Sequence, residues 1–176
     1  EISIPSNSKY TIESKSMKLF LNSFFDKNYS KQAEVINILT ERISKKCNSE
    51  VKIVIKTRFK TFDSDKFTNN AGFLVYKGFR SICPVTSQPD WGNIYLYSST
   101  NTLNKKEIFD FLFSLRNHGG FHEHCIEKTF LYIKETFSVD HLEICGRFFR
   151  RGGIDINPIR STQKKLFFGN FREFNQ

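Results

Sequence analysis

An offset of 91 residues lays this chain over itself, and that internal repeat restricts the possible architecture more than any other feature of the sequence. Residues 19–59 fall on residues 110–150 without a gap. Leu21-Asn22-Ser23-Phe24 lies over Leu112-Phe113-Ser114-Leu115, Val35 over Ile126, Leu39 over Phe130, Val51 over Leu142 and Ile53 over Ile144. Identity is low, but the apolar positions coincide, as expected for two copies of one supersecondary unit. Apolar spacing of three and four predicts short helices over 15–27 and 104–117, and second helices over 31–46 and 122–137. Glu50-Val51-Lys52-Ile53-Val54-Ile55 and His141-Leu142-Glu143-Ile144-Cys145 read as the strands that follow them. Ahead of the second copy, residues 72–81 and 93–99 flank a turn rich in Pro, Ser and Asp. The first copy keeps only a fragment of such a hairpin, residues 1–11. Two strands, two helices and a further strand pair give an antiparallel sheet covered on one face by helices, an α+β fold. The expected organisation is a first module over 1–59, a polar join over 60–71 and a second module over 72–176.

Composition bounds the class. Twenty phenylalanines against one tryptophan and one methionine make Phe a main core residue, with the aromatics expected at core spacing in the helices. No run approaches the roughly 18 apolar residues of a membrane span, and no signal peptide opens the chain, so a soluble, cytoplasmic protein with no membrane partner is expected. Residue 1 is Glu, so the sequence is expected to start inside a longer polypeptide. Four scattered cysteines (Cys47, Cys83, Cys125 and Cys145) form neither a disulfide scaffold nor a Cys-x-x-Cys zinc ribbon. One of these free thiols could be chemically active. The net charge of +9 suits either a solvated surface or an anionic partner such as phosphate or nucleic acid.

Three constellations carry possible chemistry. In Cys83-Pro84-Val85-Thr86-Ser87-Gln88-Pro89-Asp90-Trp91-Gly92 a thiol at a strand end is followed, seven residues on, by a carboxylate, with two prolines stiffening the loop. The pair fits a nucleophile with its proton donor, and also a buried cysteine with Asp90 capping a turn. In Phe121-His122-Glu123-His124-Cys125 the Glu is either an ordinary first-turn acid or an acceptor for the N–H groups of a guanine-like edge, with His122 beside it. Its His and Cys residues are too nearly contiguous on a helix to share a metal, and none is expected. The third set is basic: Ser14 and Lys15 at a helix start with Lys18 behind them, and Arg150-Arg151-Gly152-Gly153. Helix-start amides and paired arginines suit phosphate, although a solvated face explains the same residues. No G-x-G-x-x-G follows a strand, so a dinucleotide would not be held by a Rossmann unit.

Taken together, four stretches resemble one family. They are Glu13-Ser14-Lys15-Ser16-Met17-Lys18-Leu19-Phe20-Leu21-Asn22-Ser23-Phe24, the run from Cys83 to Trp91, the run from Arg116-Asn117-His118 to His122-Glu123, and Arg150-Arg151-Gly152-Gly153-Ile154-Asp155-Ile156-Asn157-Pro158. In this order they are similar to the two-module form of the NADPH-dependent 7-cyano-7-deazaguanine reductases, the QueF-type nitrile reductases of queuosine biosynthesis. The resemblance implies tandem tunnelling-fold modules, Cys83 as a nucleophile forming a thioimide and Asp90 as its proton donor. It implies substrate contacts from Ile12, Glu13, Ser14, His122 and Glu123. NADPH would be held by Ser14, Lys15, Arg151 and Gly152. It also implies a small 7-deazaguanine substrate, no direct nucleic-acid partner and a homodimer. Within the repeat Glu123 falls on Gln32 and Asn104 on Glu13, so neither module carries a full set, and one site per pair of modules is expected. The first module's opening strands are absent and the join is short for the family. Two other functions suit parts of the sequence: a zinc-dependent pterin hydrolase of the same fold using Cys83 and His122, and a basic RNA-binding module.

Overall fold

Helical apolar periodicity at both ends of the repeat produces the elements it predicts. The computed structural model describes residues 1–67, 70, 72–100, 103–174 and 176, leaving aside the side chain of Asp65. The chain divides into two units: residues 1–59 with 152–154, and residues 60–151 with 155–176. Of the expected join, Lys60 to Phe67 and residue 70 are described, whereas positions 68, 69 and 71 lie outside the described residues.

In the first unit, strand β1 (Ile2–Ser3) pairs antiparallel with β2 (Lys52–Ile53). Between them run helices α1 (Ser14–Asn22) and α2 (Gln32–Cys47). Met17, Ile43, Cys47 and Val51 are buried together, with Ile12, Leu39 and Ile53 packed around them. α1 stops at Asn22 rather than running to 27, because Ser23 closes the last turn and residues 24–26 continue as turn. The strand expected over 50–55 is shortened to Lys52–Ile53, with Val54 beyond it exchanging hydrogen bonds with Glu1.

The second unit is a four-stranded antiparallel sheet in the order β3 (Phe73–Ile82), β4 (Pro89–Ser98), β5 (Leu142–Phe148), β6 (Ile159–Ser161). Helices α3 (Lys105–Ser114) and α4 (His122–Thr136) lie between β4 and β5 in the chain. The 91-residue offset carries α1 onto 105–113 and α2 onto 123–138, so the repeat is a repeat of elements.

Strand alternation sends Ile94, Leu96, Leu142, Ile144 and Phe148 to the helices, where they pack on Ile108, Leu112, Ile126 and Ile133. The intervening residues are buried as well. Phe73, Tyr95 and Cys145 pack with Phe62, Phe67, Phe168 and Phe171, which come from the segments before β3 and after β6. The sheet is therefore covered on both faces, which is why every residue of β5 is buried. The aromatics thus depart from the expected helical placement, since their largest cluster lies on the sheet's far face. Phe62 alone meets five other rings at centroid distances of 4.8 to 5.9 Å.

Polar pins fix this second layer. Buried Glu143 accepts the backbone N–H groups of Phe167 and Phe168 at 2.8 Å each. The Arg147 guanidinium lies 4.1 Å from the Phe171 ring centroid and donates to the Gly169 carbonyl at 2.9 Å. Glu173 accepts from Asn93 at 2.7 Å and from the Tyr95 hydroxyl. Because Glu143 satisfies two buried donors, Glu143→Ala should leave both orphaned. We expect a loss of about 3 kcal/mol in urea-unfolding stability, the scale of hydrogen bonds to a charged group, with an aromatic near-ultraviolet signal that weakens first.

Candidate active site

A six-residue loop, Cys83 to Gln88, joins β3 to β4. It is closed by Cys83 N–H donating to the Gln88 carbonyl at 2.8 Å and Ser87 N–H donating to the Cys83 carbonyl at 2.9 Å, with Ser87 at a φ of +56°. Cys83 is half-buried at its start. Burial pushes its thiol up, but the Thr86 hydroxyl and the backbone N–H groups of Thr86 and Val85 outweigh that, and the net effect is a pKa below the ordinary value. Such donors stabilise a thiolate, the reactive form. The other cysteines behave oppositely. Burial raises Cys47 and Cys125, and it pushes Cys145 up to about 12.

Asp90 does not belong to the turn, as the spacing suggested. β4 begins at Pro89 rather than at Asn93, so Asp90 sits within the strand, opposite Ser81 of β3, and is 2% exposed. Proline is tolerated as the first residue of a strand, which explains the earlier start. Arg151 Nη1 forms an ion pair with Asp90 Oδ1, and His122 Nε2 stands 3.6 Å from the same oxygen. Burial by itself would raise the Asp90 carboxyl; His122 and then Arg151 overcome it and hold the group below the usual carboxylate range.

The start of α4 is stitched to the same place. Ile82 N–H donates to the His118 carbonyl and Gly120 N–H to the Ile82 carbonyl, both at 3.0 Å. Arg80 donates from Nη1 to the Arg116 carbonyl at 2.7 Å and to Asn117 Oδ1 at 2.8 Å. His122 is thereby buried, its ring edge-on to Phe148 at 4.2 Å. Half-buried Glu123 occupies the first turn, and among the described residues its carboxylate accepts no hydrogen bond. His124 is exposed and faces the His118 ring at 5.9 Å, while Cys125 is buried, so the three neighbours of Glu123 point in different directions.

In the first unit Glu13 is the N-cap of α1, taking the Lys15 N–H at 2.8 Å and the Ser16 N–H at 2.9 Å. The Lys15 N–H leads in lowering its pKa, against a smaller opposing effect of burial. The amides at the start of α1 serve Glu13, so a phosphate there would rely on the cations Lys15 and Lys18. Ser14 opens the helix, half-buried, and Ile12 packs into the unit's core. Gly152 has a φ of +59°, a left-handed conformation that glycine adopts without strain, and the end of the Lys18 side chain lies against it.

The second unit thus brings together Cys83, Asp90, His122 and Arg151, and Glu123 follows His122 in the first turn of α4. Sequence reasoning missed Thr86 and Val85 as thiolate donors, and Gln88, which accepts from Arg151 Nη2 at 2.7 Å. Only their place inside the Cys–Asp loop hinted at them. It also read Arg151 as a phosphate ligand, without its partner Asp90.

A family model described as "QueF-like protein" matches residues 89–166, and one described as "Nitrile reductase, 7-cyano-7-deazaguanine-reductase N-term" matches residues 1–55. The NADPH-dependent 7-cyano-7-deazaguanine reductase of Coxiella burnetii (strain Dugway 5J108-111) is 32% identical, over all of this chain and 73% of its own length. The enzyme of the same name from Buchnera aphidicola subsp. Schizaphis graminum is 34% identical, covering 92% of this chain and 73% of its own. That of Desulfotalea psychrophila is 31% identical, covering 95% and 71%. A solved structure, the archaeosine synthase QueF-Like in the apo form, superposes on 51% of this chain and 89% of its own with a TM-score of 0.46 and 15% identity.

The lowered Cys83 thiol predicts selective alkylation. Iodoacetamide should modify Cys83 at a pH where Cys145 is untouched, as read by peptide mass mapping. Thr86→Val should move the pH–rate profile of that modification upward.

Proposed function

The chain belongs to the family of NADPH-dependent 7-cyano-7-deazaguanine reductases, and from that membership we propose that it reduces the nitrile of 7-cyano-7-deazaguanine to an aminomethyl group in queuosine biosynthesis. The observation that carries this reading is a thiol with its own thiolate donors, set in one hairpin with a buried carboxyl. The Cys83 sulfur adds to the nitrile carbon, and Asp90 passes a proton to the nitrile nitrogen, giving a thioimide. Each of two NADPH molecules supplies one hydride, for four electrons in all. When the carbon–sulfur bond breaks, Cys83 leaves as thiolate and an imine remains. Asp90 supplies the proton that the nitrogen needs as the imine becomes the amine.

Other residues hold the reactants. The Glu123 carboxylate, free to accept, suits the N–H donors of a guanine-type edge, with His122 beside it. Ile12, Glu13 and Ser14 complete the proposed substrate contacts. For the cofactor the proposal is Ser14, Lys15, Arg151 and Gly152. Their chemistry fits phosphate: an exposed Lys15, a part-exposed Arg151, and a glycine turn lying against Lys18. Among the described residues no helix is long and apolar enough to cross a membrane. We place the protein in the cytoplasm, where its four unpaired cysteines stay reduced, and propose a homodimer with no direct contact to nucleic acid.

Incubation with 7-cyano-7-deazaguanine without NADPH should add the full ligand mass to the protein, and Cys83→Ala should abolish the adduct. An adduct that survives the substitution removes Cys83 as nucleophile. Asp90→Asn should still bind the nitrile while turnover falls by about 10²- to 10⁴-fold, the usual worth of a positioned acid. Near-normal turnover would take the acid role away from Asp90.

A further inference from the structure

Docked on Arg151, the proposed acid is held in the wrong state to donate. Asp90 is almost wholly buried (its side chain is 1% exposed), yet it is paired with a guanidinium, and a paired carboxylate stays ionised. The two partners differ in their freedom. Arg151 keeps 35% of its side chain exposed, and its remaining contacts are to neutral acceptors: Gln88 Oε1 at 2.7 Å and Thr86 Oγ1 at 3.5 Å. Both acceptors lie in the Cys83 loop, so one guanidinium touches the loop of the nucleophile and the carboxylate together. Immediately after Arg151 the chain turns through Gly152 and Gly153, both at positive φ.

We propose that Arg151 is a positioning residue that sets when Asp90 can carry a proton: docked on the carboxylate it holds Asp90 ionised, and drawn away by a phosphate-bearing ligand it leaves a buried carboxyl that takes one up. This rests on the reading of Asp90 as the proton donor. The balance is simple. A phosphate binds guanidinium bidentately and competes with the carboxylate for it. Asp90 cannot follow the guanidinium toward solvent, because it is fixed inside β4. A buried carboxylate that loses its guanidinium partner is left short of counter-charge, and taking up one proton from solvent removes that cost. The other groups facing Asp90 do not replace the arginine. His122 of α4, 3.6 Å away, also holds the carboxyl down, but it stays in place whether or not Arg151 is docked, and Cys83 of the loop and Cys125 of α4 interact with the carboxylate as potential anions. Ser81, across from it on β3, is uncharged, and its buried hydroxyl lies beside the Cys125 thiol. The lowered pKa of Asp90 agrees with this arrangement.

The sign follows. Arg151 lowers the pH at which Asp90 gains its proton, so removing Arg151 raises that pH. The test is the titration of the Asp90 carboxyl carbon by ¹³C NMR in ligand-free protein, assigned by its loss in Asp90→Asn. The midpoint should move up in Arg151→Gln, and Arg151→Lys should bring it back toward the parent value. An unmoved midpoint in folded Arg151→Gln overturns the inference. A second measurement needs no Arg151 variant: adding NADP⁺ to the weakly buffered parent protein in the weakly acidic range should draw protons from solution, and Asp90→Asn should not. Equal uptake by both proteins, or none by the parent, also overturns it. The nitrile adduct separates the two ideas. An adduct with an unmoved midpoint sinks the Arg151 inference alone. A moved midpoint without any adduct sinks the thioimide reading and leaves the control of Asp90 standing.

Discussion

A carboxylate sealed inside a strand needs a counter-charge, and the pairing of Asp90 with Arg151 is the interaction on which the candidate site depends. It ties the end of the β3–β4 hairpin to the turn after β5, and through Gln88 and Thr86 it ties in the loop of Cys83. His122 reaches the same oxygen from α4, whose start is anchored to Ile82 by backbone hydrogen bonds. Hairpin, helix start and turn are three separate pieces of chain. One buried charge gives each of them a reason to converge.

The rest of the second unit keeps that charge dry. Its sheet is packed on both faces, by α3 and α4 on one side and on the other by an aromatic layer built from the segments flanking the sheet. Buried charges recur on the aromatic side: Glu143 accepts from two amides, and Arg147 donates to the Gly169 carbonyl and lies over a ring face. The scaffold around Asp90 is therefore rigid where the carboxylate sits and open where Arg151 meets solvent. That asymmetry permits a change of protonation without a change of fold.

How much could be read beforehand follows from the range of each interaction. The helices, and the correspondence of α1 with α3 and α2 with α4, were legible because 3.6-residue periodicity is local. Cys83 and Asp90 were legible as a pair because a short hairpin loop separates them. The start of β4 was misjudged because two prolines in a row of polar residues look like turn, whereas Pro89 merely opens the strand. The placement of the phenylalanines was misjudged because periodicity reveals that a side chain is buried and not which layer buries it. Phe62 and Phe168 are 106 positions apart and meet at 5.4 Å.

By itself, then, the sequence determined the α+β class, the repeat, the hairpin that presents Cys83, and the family motifs, since all of these are written in spacings along the chain. Tertiary structure alone decided the electrical state of the site. Arg151 lies 61 positions from Asp90 and His122 lies 32 from it. No local pattern records that these three groups share one oxygen. Electrostatic coupling is set by distance and burial in space, and the chain acquires both only when β4, α4 and the turn after β5 are folded together.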